Sequence, residues 1–242
     1  MTARTGRLGG ERRSISEDVC GDTGHLSGYG RIVSEGRPEE GTLGAEYVER
    51  MYAASPGPWG FTSRWYEERK HAVGAAMLPR RRYHDAFEVG CSIGVFTVVL
   101  ASRCDRLLAC DASPVAVAAA TERTARYHPH TRVEQRSMPG GWPVRDRGFD
   151  LIVLSEVLYH FGGADLDRML DLAIGALTPG GTLLAVHWRR PAAGCPRGGE
   201  EVHDALAGRA GLSRLVDHRE PDFIAEVYLR DPPAAQVAEG FV

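Results

Sequence analysis

The stretch Phe87–Gly94, Phe-Glu-Val-Gly-Cys-Ser-Ile-Gly, constrains this chain more than any other. It closes a run, His84–Val89, that reads as a buried strand, and it opens onto an apolar helix over Gly94–Ser102. A glycine-bearing turn from strand to helix lets backbone approach a ligand closely, because glycine has no Cβ. Glu88, just before the first glycine, sets the sign of that ligand. A carboxylate there repels a dinucleotide's pyrophosphate and suits a cationic, amine-bearing cofactor. Asp111 ends a second apolar run, Leu107–Cys110, about twenty residues on, where an acid accepts hydrogen bonds from ribose hydroxyls.

From Tyr83 onward, strand and helix patterns alternate. Strands are expected at His84–Val89, Arg106–Cys110, Thr131–Gln135, Phe149–Leu154 and Thr182–Trp188, and helices at Gly94–Ser102, Val115–Tyr127 and Asp165–Leu177. Ser113-Pro114 supplies a cap followed by proline at the first turn. Thr178-Pro179-Gly180-Gly181 stops a helix and leads into a strand, and Val202–Arg230 holds one more helix and a two-strand pattern. This is a doubly wound, Rossmann-like α/β sheet, in which ligands sit beyond the carboxyl ends of the strands. Ahead of it, Leu43–Ala54 has helical spacing at Ala45, Val48, Met51 and Tyr52 and is stopped by Ser55-Pro56-Gly57-Pro58. A second helix is expected from a Ser63 cap to Leu78, before Pro79. The organisation is therefore an unstructured extension over residues 1–41, cap helices over 42–79, the α/β domain over 80–230 and a tail over 231–242.

Composition narrows the partners. The net charge of −3 argues against nucleic acid, and no apolar run is long enough to span a membrane. The five cysteines lack metal-type spacing, and reduced thiols in a cytoplasmic setting are expected. His128-Pro129-His130 is too short for a metal site, so no metal is expected. Lys70 is the only lysine in the chain.

The acid-bearing glycine loop and Asp111 in register resemble the class I methyltransferases that use S-adenosylmethionine (SAM). That resemblance implies a seven-stranded sheet and a cofactor site of Glu88, Gly90, Cys91, Gly94, Asp111 and Ala112. Ser137 and Met138 follow the third strand, where such folds contact adenine, and Ser155 ends the fourth. A nicotinamide fingerprint would need a further glycine that this loop lacks. Pro58-Trp59-Gly60-Phe61, Trp65–Lys70, Leu154–Tyr159, Val186–Arg189 and Glu201-Val202-His203 resemble the nodulation protein S (NodS) family of small-molecule N-methyltransferases. The family implies methylation of an amine on a deacetylated chitooligosaccharide. An oxygen acceptor on a sugar or specialised metabolite, a non-catalytic SAM-binding protein and a nicotinamide oxidoreductase stand as alternatives. Oligomeric state is not legible.

A sulfonium methyl is already activated, so an enzyme must chiefly orient an acceptor lone pair behind it. An ammonium acceptor must first lose a proton. Glu156 and His187, at strand ends, are the candidates to deprotonate or orient the acceptor. Trp59, Tyr66, Lys70, Tyr159, Trp188 and His203 are the candidates to bind it. The aromatics and cations of Trp59–Lys70 suggest a cover that closes over the ligands. Removal of residues 1–37, which lack apolar periodicity, is expected to leave melting temperature and SAM affinity unchanged; a large drop in melting temperature would show that this segment packs on the core.

Overall fold

The computed structural model describes residues 41–54, 60–127, 129–190 and 194–230. Residues 1–40, Trp59, the breaker run 55–58, His128 and the tail from 231 on lie outside the described residues, and so do the expectations placed on them.

Among the described residues fifteen segments follow in order, two of them single 3₁₀ turns. Helix α1 (Ala45–Ala54) and helix α2 (Trp65–Met77) precede strand β1 (Tyr83–Val89), α3 (Val95–Ala101), β2 (Cys104–Asp111) and α4 (Pro114–Thr124). Then come a 3₁₀ turn (Ala125–Tyr127), β3 (Thr131–Gln135), β4 (Phe149–Ser155), a second 3₁₀ turn (Leu158–His160) and α5 (Gly163–Ala176). Strand β5 (Leu177–Trp188), α6 (Gly199–Ala207), β6 (Leu212–Arg219) and β7 (Phe223–Arg230) complete the domain. The sheet has seven strands in the order β3-β2-β1-β4-β5-β7-β6. Strands β1 to β5 pair in parallel, and β7 is antiparallel to both β5 and β6. The expected doubly wound, Rossmann-like sheet is thus present.

The central strands read as continuous apolar runs because both faces are covered. Alternation sorts them: Phe87, Val89, Ile152, Leu154, Leu183 and Ala185 face α5 and α6. Ala86, Leu151, Val153, Leu184 and Val186 face the other way, onto Ala75, Phe96 and Leu100 of α2 and α3. Helix α2 is therefore one layer of the domain. It is also tied at its exposed side: both guanidinium nitrogens of Arg69 lie 2.7 Å from the Glu220 carboxylate, at the β6–β7 turn.

Two element starts are set by contacts that the sequence reading did not anticipate. Helix α2 starts two residues after Ser63, whose hydroxyl donates to the Gly60 carbonyl at 3.3 Å instead of capping. Strand β5 starts at Leu177, opposite Phe149, and then loops out three residues before Thr182 meets Leu151. Gly181 makes that loop possible: a Cβ there would lie 2.8 Å from the Thr178 carbonyl oxygen. By contrast Ser113 does cap α4, accepting from the Ala116 amide at 3.3 Å.

Gly94 was expected against the cofactor, and its lack of a side chain also serves helix packing. It caps α3 at φ 78°, and a Cβ would lie 2.9 Å from both Cα and Cβ of Ala120 on α4. The missing side chain lets α3 and α4 pack. Gly94→Ala is expected to lower stability by about 1–3 kcal/mol through overpacking, with added strain from the left-handed backbone. Gly175→Ala, in α5 with open space around its Cα, is the contrast and is expected to be neutral or to stabilise by about 0.4–1 kcal/mol. Chemical denaturation of the two variants checks this pair.

Candidate active site

A cavity of about 300 Å³ opens at the carboxyl ends of β1, β2 and β4. Its lining includes Gly90, Asp111, Ala112, Ser137, Met138, Glu156 and Tyr159. A smaller recess of about 30 Å³ adjoins it, lined by Glu88, Gly90, Cys91, Ser155, Glu156, Phe61 and His71 among others. The larger volume is in the range of small-molecule sites.

The floor is built by backbone. Gly90 turns at φ 72°, and a Cβ there would lie 3.0 Å from Val157 Cγ2, so a side chain would fill the cradle. Ser92 follows at φ 49°, an unfavoured conformation for a non-glycine residue. Asp111 holds that turn. Its Oδ2 accepts from the Ser92 amide and its Oδ1 from the Ser113 amide, both at 2.9 Å. Asp111 lines the cavity, and a carboxylate oxygen can accept more than one hydrogen bond. Glu88 is buried, with Oε2 lacking a partner among the described residues. Burial pushes its carboxyl up to about 8; the Thr97 hydroxyl pulls the other way, and the Asp111 carboxylate adds to the rise. An orphaned buried carboxyl oxygen, a glycine cradle and a pre-oriented Asp111 fit a cationic nucleoside cofactor.

The opposite wall is anchored by an ion cluster. Lys70 Nζ lies 2.7 Å from Glu156 Oε1 and 2.9 Å from Glu67 Oε2, and the lysine is only 2% exposed. Burial opposes each of these charges. It raises the Glu67 carboxyl, while Glu156 and Glu67 outweigh it at Lys70 and hold the ammonium above its ordinary range. Lys70 in turn outweighs burial at Glu156 and takes its carboxyl below the usual value. Glu156 Oε2 accepts from the Tyr159 hydroxyl at 2.6 Å and the Trp188 amide at 3.0 Å.

Several expected acceptor contacts are placed elsewhere. Lys70 stands behind Glu156 and lines neither cavity. Tyr66 packs edge-on against Trp188 and Phe223, with centroids 5.6 and 6.1 Å away. His187 and His203 are buried at 0% and 1% exposure, in contact with each other. Tyr159 alone of the described acceptor candidates lines the larger cavity. Within α2, Tyr66, Glu67, Arg69 and Lys70 make internal contacts, while Trp65 is 70% exposed.

The wall that sequence reasoning missed comes from α1 and the residues before it. Leu43, Tyr47, Val48, Met51 and Tyr52 line the larger cavity, and the Tyr52 hydroxyl donates to Ser92 Oγ at 2.5 Å. The helical spacing of Val48, Met51 and Tyr52 was the available signal. His71 was also missed: it stacks on Phe96 at 4.8 Å, and burial brings its imidazole down to about 4. Among the described residues no cluster of histidine, cysteine, aspartate or glutamate could hold a metal, and no helix is long and apolar enough to cross a membrane.

Glu88 gives a pH signature. Its carboxyl titrates at about 8 when folded against an ordinary 4.5, so the folded chain binds more protons between those values. The resulting stability is fully present below the lower value and is lost as pH rises through about 8. Urea denaturation at about pH 5 and about pH 8.5 should show wild type losing more stability than Glu88→Gln between the two. Equal losses would remove Glu88 as the titrating group.

Comparison with known proteins agrees with this geometry. Residues 86–181 match a family described as a methyltransferase domain. Nodulation protein S from Rhizobium tropici is 32% identical over 142 residues, covering 54% of this chain and 55% of its own length. The chain thus spans little more than half of that curated relative. A crystal structure from Pseudomonas syringae, assigned as a methyltransferase, is 46% identical with a TM-score of 0.61, covering 69% of this chain and 100% of that one. The N-methyltransferase NodS from Bradyrhizobium japonicum, in complex with S-adenosyl-L-homocysteine, is 26% identical with a TM-score of 0.68, covering 77% of this chain and 97% of that one. Sheet order, acid-bearing glycine loop and these likenesses converge: the chain is similar to NodS in sequence and fold, and it belongs to the class I SAM-dependent methyltransferases.

Proposed function

We propose that this chain transfers a methyl group from SAM to an amine nitrogen of a small molecule. The observation that carries the acceptor class is Glu156. Its carboxylate stays ionised at the junction of the two cavities, beside the Tyr159 ring, with its counter-ion Lys70 on the far side. The carboxylates lining the two spaces are Asp111 and Glu156, with Glu88 beside them held protonated at neutral pH, and the lining arginine, Arg136, is paired with Glu134 at 2.6 Å. Such a lining favours cationic ligands and disfavours anionic ones. The NodS likeness supports nitrogen over oxygen.

Glu88, Gly90, Asp111, Ser137 and Met138 would hold the cofactor, with Cys91, Ala112 and Ser155 as neighbouring wall. When bound, SAM supplies a methyl already activated on sulfur. Asp111 would accept from the ribose hydroxyls, and Glu88 would offer Oε2 to an ammonium. Glu156 receives an amine as a hydrogen-bond acceptor and holds its nitrogen in the wall. Lys70 keeps Glu156 a weak base, so its role is orientation, and the amine proton leaves to solvent. His160 lines the larger cavity, but burial brings its imidazole down to about 4, which makes it too weak a base to take that proton. The expectation that His187 abstracts this proton is replaced, because His187 is sealed from both spaces.

Two substitutions separate the roles. Asp111→Ala is expected to weaken binding of S-adenosyl-L-homocysteine by about 1.5–3 kcal/mol in calorimetry. Glu156→Gln is expected to keep that affinity within about threefold and to lower turnover of amines in a labelled-SAM screen about tenfold or more. Methylation of hydroxyl acceptors alone, or unchanged turnover in Glu156→Gln, would overturn the amine assignment.

A further inference from the structure

Behind the cavity wall runs a chain of buried polar side chains that the reaction itself does not use. The Leu158 amide donates to His187 Nε2 at 3.2 Å. His187 Nδ1 is 3.1 Å from His203 Nε2, and His203 Nδ1 is 2.6 Å from Glu226 Oε2. Tyr228 donates to the same Oε2 at 2.6 Å, while Arg214 and Arg219, on edge strand β6, donate to Oε1 at 2.8 and 3.0 Å. His187, His203 and Glu226 are at most 1% exposed. Tyr159 meets the His187 ring edge-on, with centroids 5.6 Å apart.

Donor and acceptor bookkeeping leaves one arrangement. A backbone amide can only donate, so His187 Nε2 must carry its lone pair and the ring proton must sit on Nδ1. That proton points at His203 Nε2, which must then accept. The His203 proton sits on Nδ1 and faces the carboxylate. A proton added to either imidazole sets two donors against each other at the His187–His203 contact or at Leu158. The carboxylate at the far end is itself secured: burial opposes its charge, but hydrogen bonds from His203 and Tyr228 bring Glu226 down to about 2.

We propose that His187, His203 and Glu226 are positioning residues: the Glu226 carboxylate fixes the tautomer of both imidazoles, and His187 Nε2, held as an acceptor, anchors the Leu158 turn that carries Glu156, Tyr159 and His160 in the cavity wall. Strand β5 grips that turn at two adjacent residues, through the His187 ring at Leu158 and the Trp188 amide at Glu156. Glu156 also donates its own amide to the Val186 carbonyl at 2.8 Å. The amine-binding wall is thereby referenced to the antiparallel β6–β7 ribbon on the other side of the domain. The activity readouts rest on the amine methyl transfer proposed above; the spectroscopic one does not.

The test uses the full chain with ¹⁵N-labelled histidines. Long-range ¹H–¹⁵N spectra at neutral pH should show His187 and His203 both neutral with the proton on Nδ1, the two rings being assigned from H187Q and H203Q. An Nε2–H or doubly protonated His187 in the folded chain overturns the proposal. Glutamine at position 187 can accept from Leu158 and donate onward, whereas leucine can do neither. His187→Leu should speed amide exchange at Leu158 about tenfold, and His187→Gln should restore most of the protection. With an accepted amine, His187→Leu and Glu226→Gln should lower kcat more than they raise the Kd of S-adenosyl-L-homocysteine, with His187→Gln retaining most turnover. Unchanged Leu158 exchange in a folded His187→Leu variant overturns the proposal whether or not an acceptor is known. Absence of methyl transfer in wild type, with the tautomers as stated, overturns the functional reading alone.

Discussion

One ammonium group buried between two carboxylates decides the shape of this site. Lys70 ties helix α2 to the loop after β4, across the sheet edge where cofactor and acceptor would meet. Taking three charges out of water is unfavourable unless each is well partnered. The partnering is close here: the ammonium spans Glu67 and Glu156, and the remaining Glu156 oxygen takes a hydroxyl and an amide. Lysine suits the task better than arginine, because its compact point charge on a flexible stem fits between two side chains that a planar fork would splay.

Strain gathers where that cluster and Asp111 act. Ser92 and Glu156 are the described non-glycine residues with positive φ, at 49° and 55°. Each follows a central strand, and together they flank the opening. A side chain held in the left-handed region costs of order 1–3 kcal/mol and persists only where neighbours over-determine it. Asp111 supplies this at Ser92 through the amide. Lys70, Tyr159, Trp188 and Val186 supply it at Glu156. The carboxylates near the opening thus fix backbone as well as offering charge.

The sheet was legible because buried parallel strands leave unbroken apolar runs and the helices between them leave caps and stops, as at Ser113-Pro114. Glu88, Gly90 and Asp111 were legible for a related reason: a turn fixes its own residues, and register fixes where the next strand ends. The far wall was not. Spacing places Tyr66 and Lys70 on a common helix face but does not say whether that face meets ligand or protein, and here it meets Trp188, Phe223 and Glu156. His187 ends a strand beside the cavity, yet alternation turns its ring to the buried side. Gly94 belongs to the loop motif, and contact with Ala120, far along the chain, also uses it for helix packing. In α1 the apolar spacing was visible while the void it covers was not, since periodicity reports a face and not what lies opposite.

The solitary lysine has a use unrelated to catalysis. With no other lysine in the chain and this one 2% exposed, amine-directed reagents meet no lysine on the folded surface. Modification of Lys70 therefore requires α2 to part from the loop after β4. The rate at which an acylating reagent consumes that single ε-amine, read as the mass of the peptide that carries Lys70, is a clock for opening of the acceptor wall that needs no substrate.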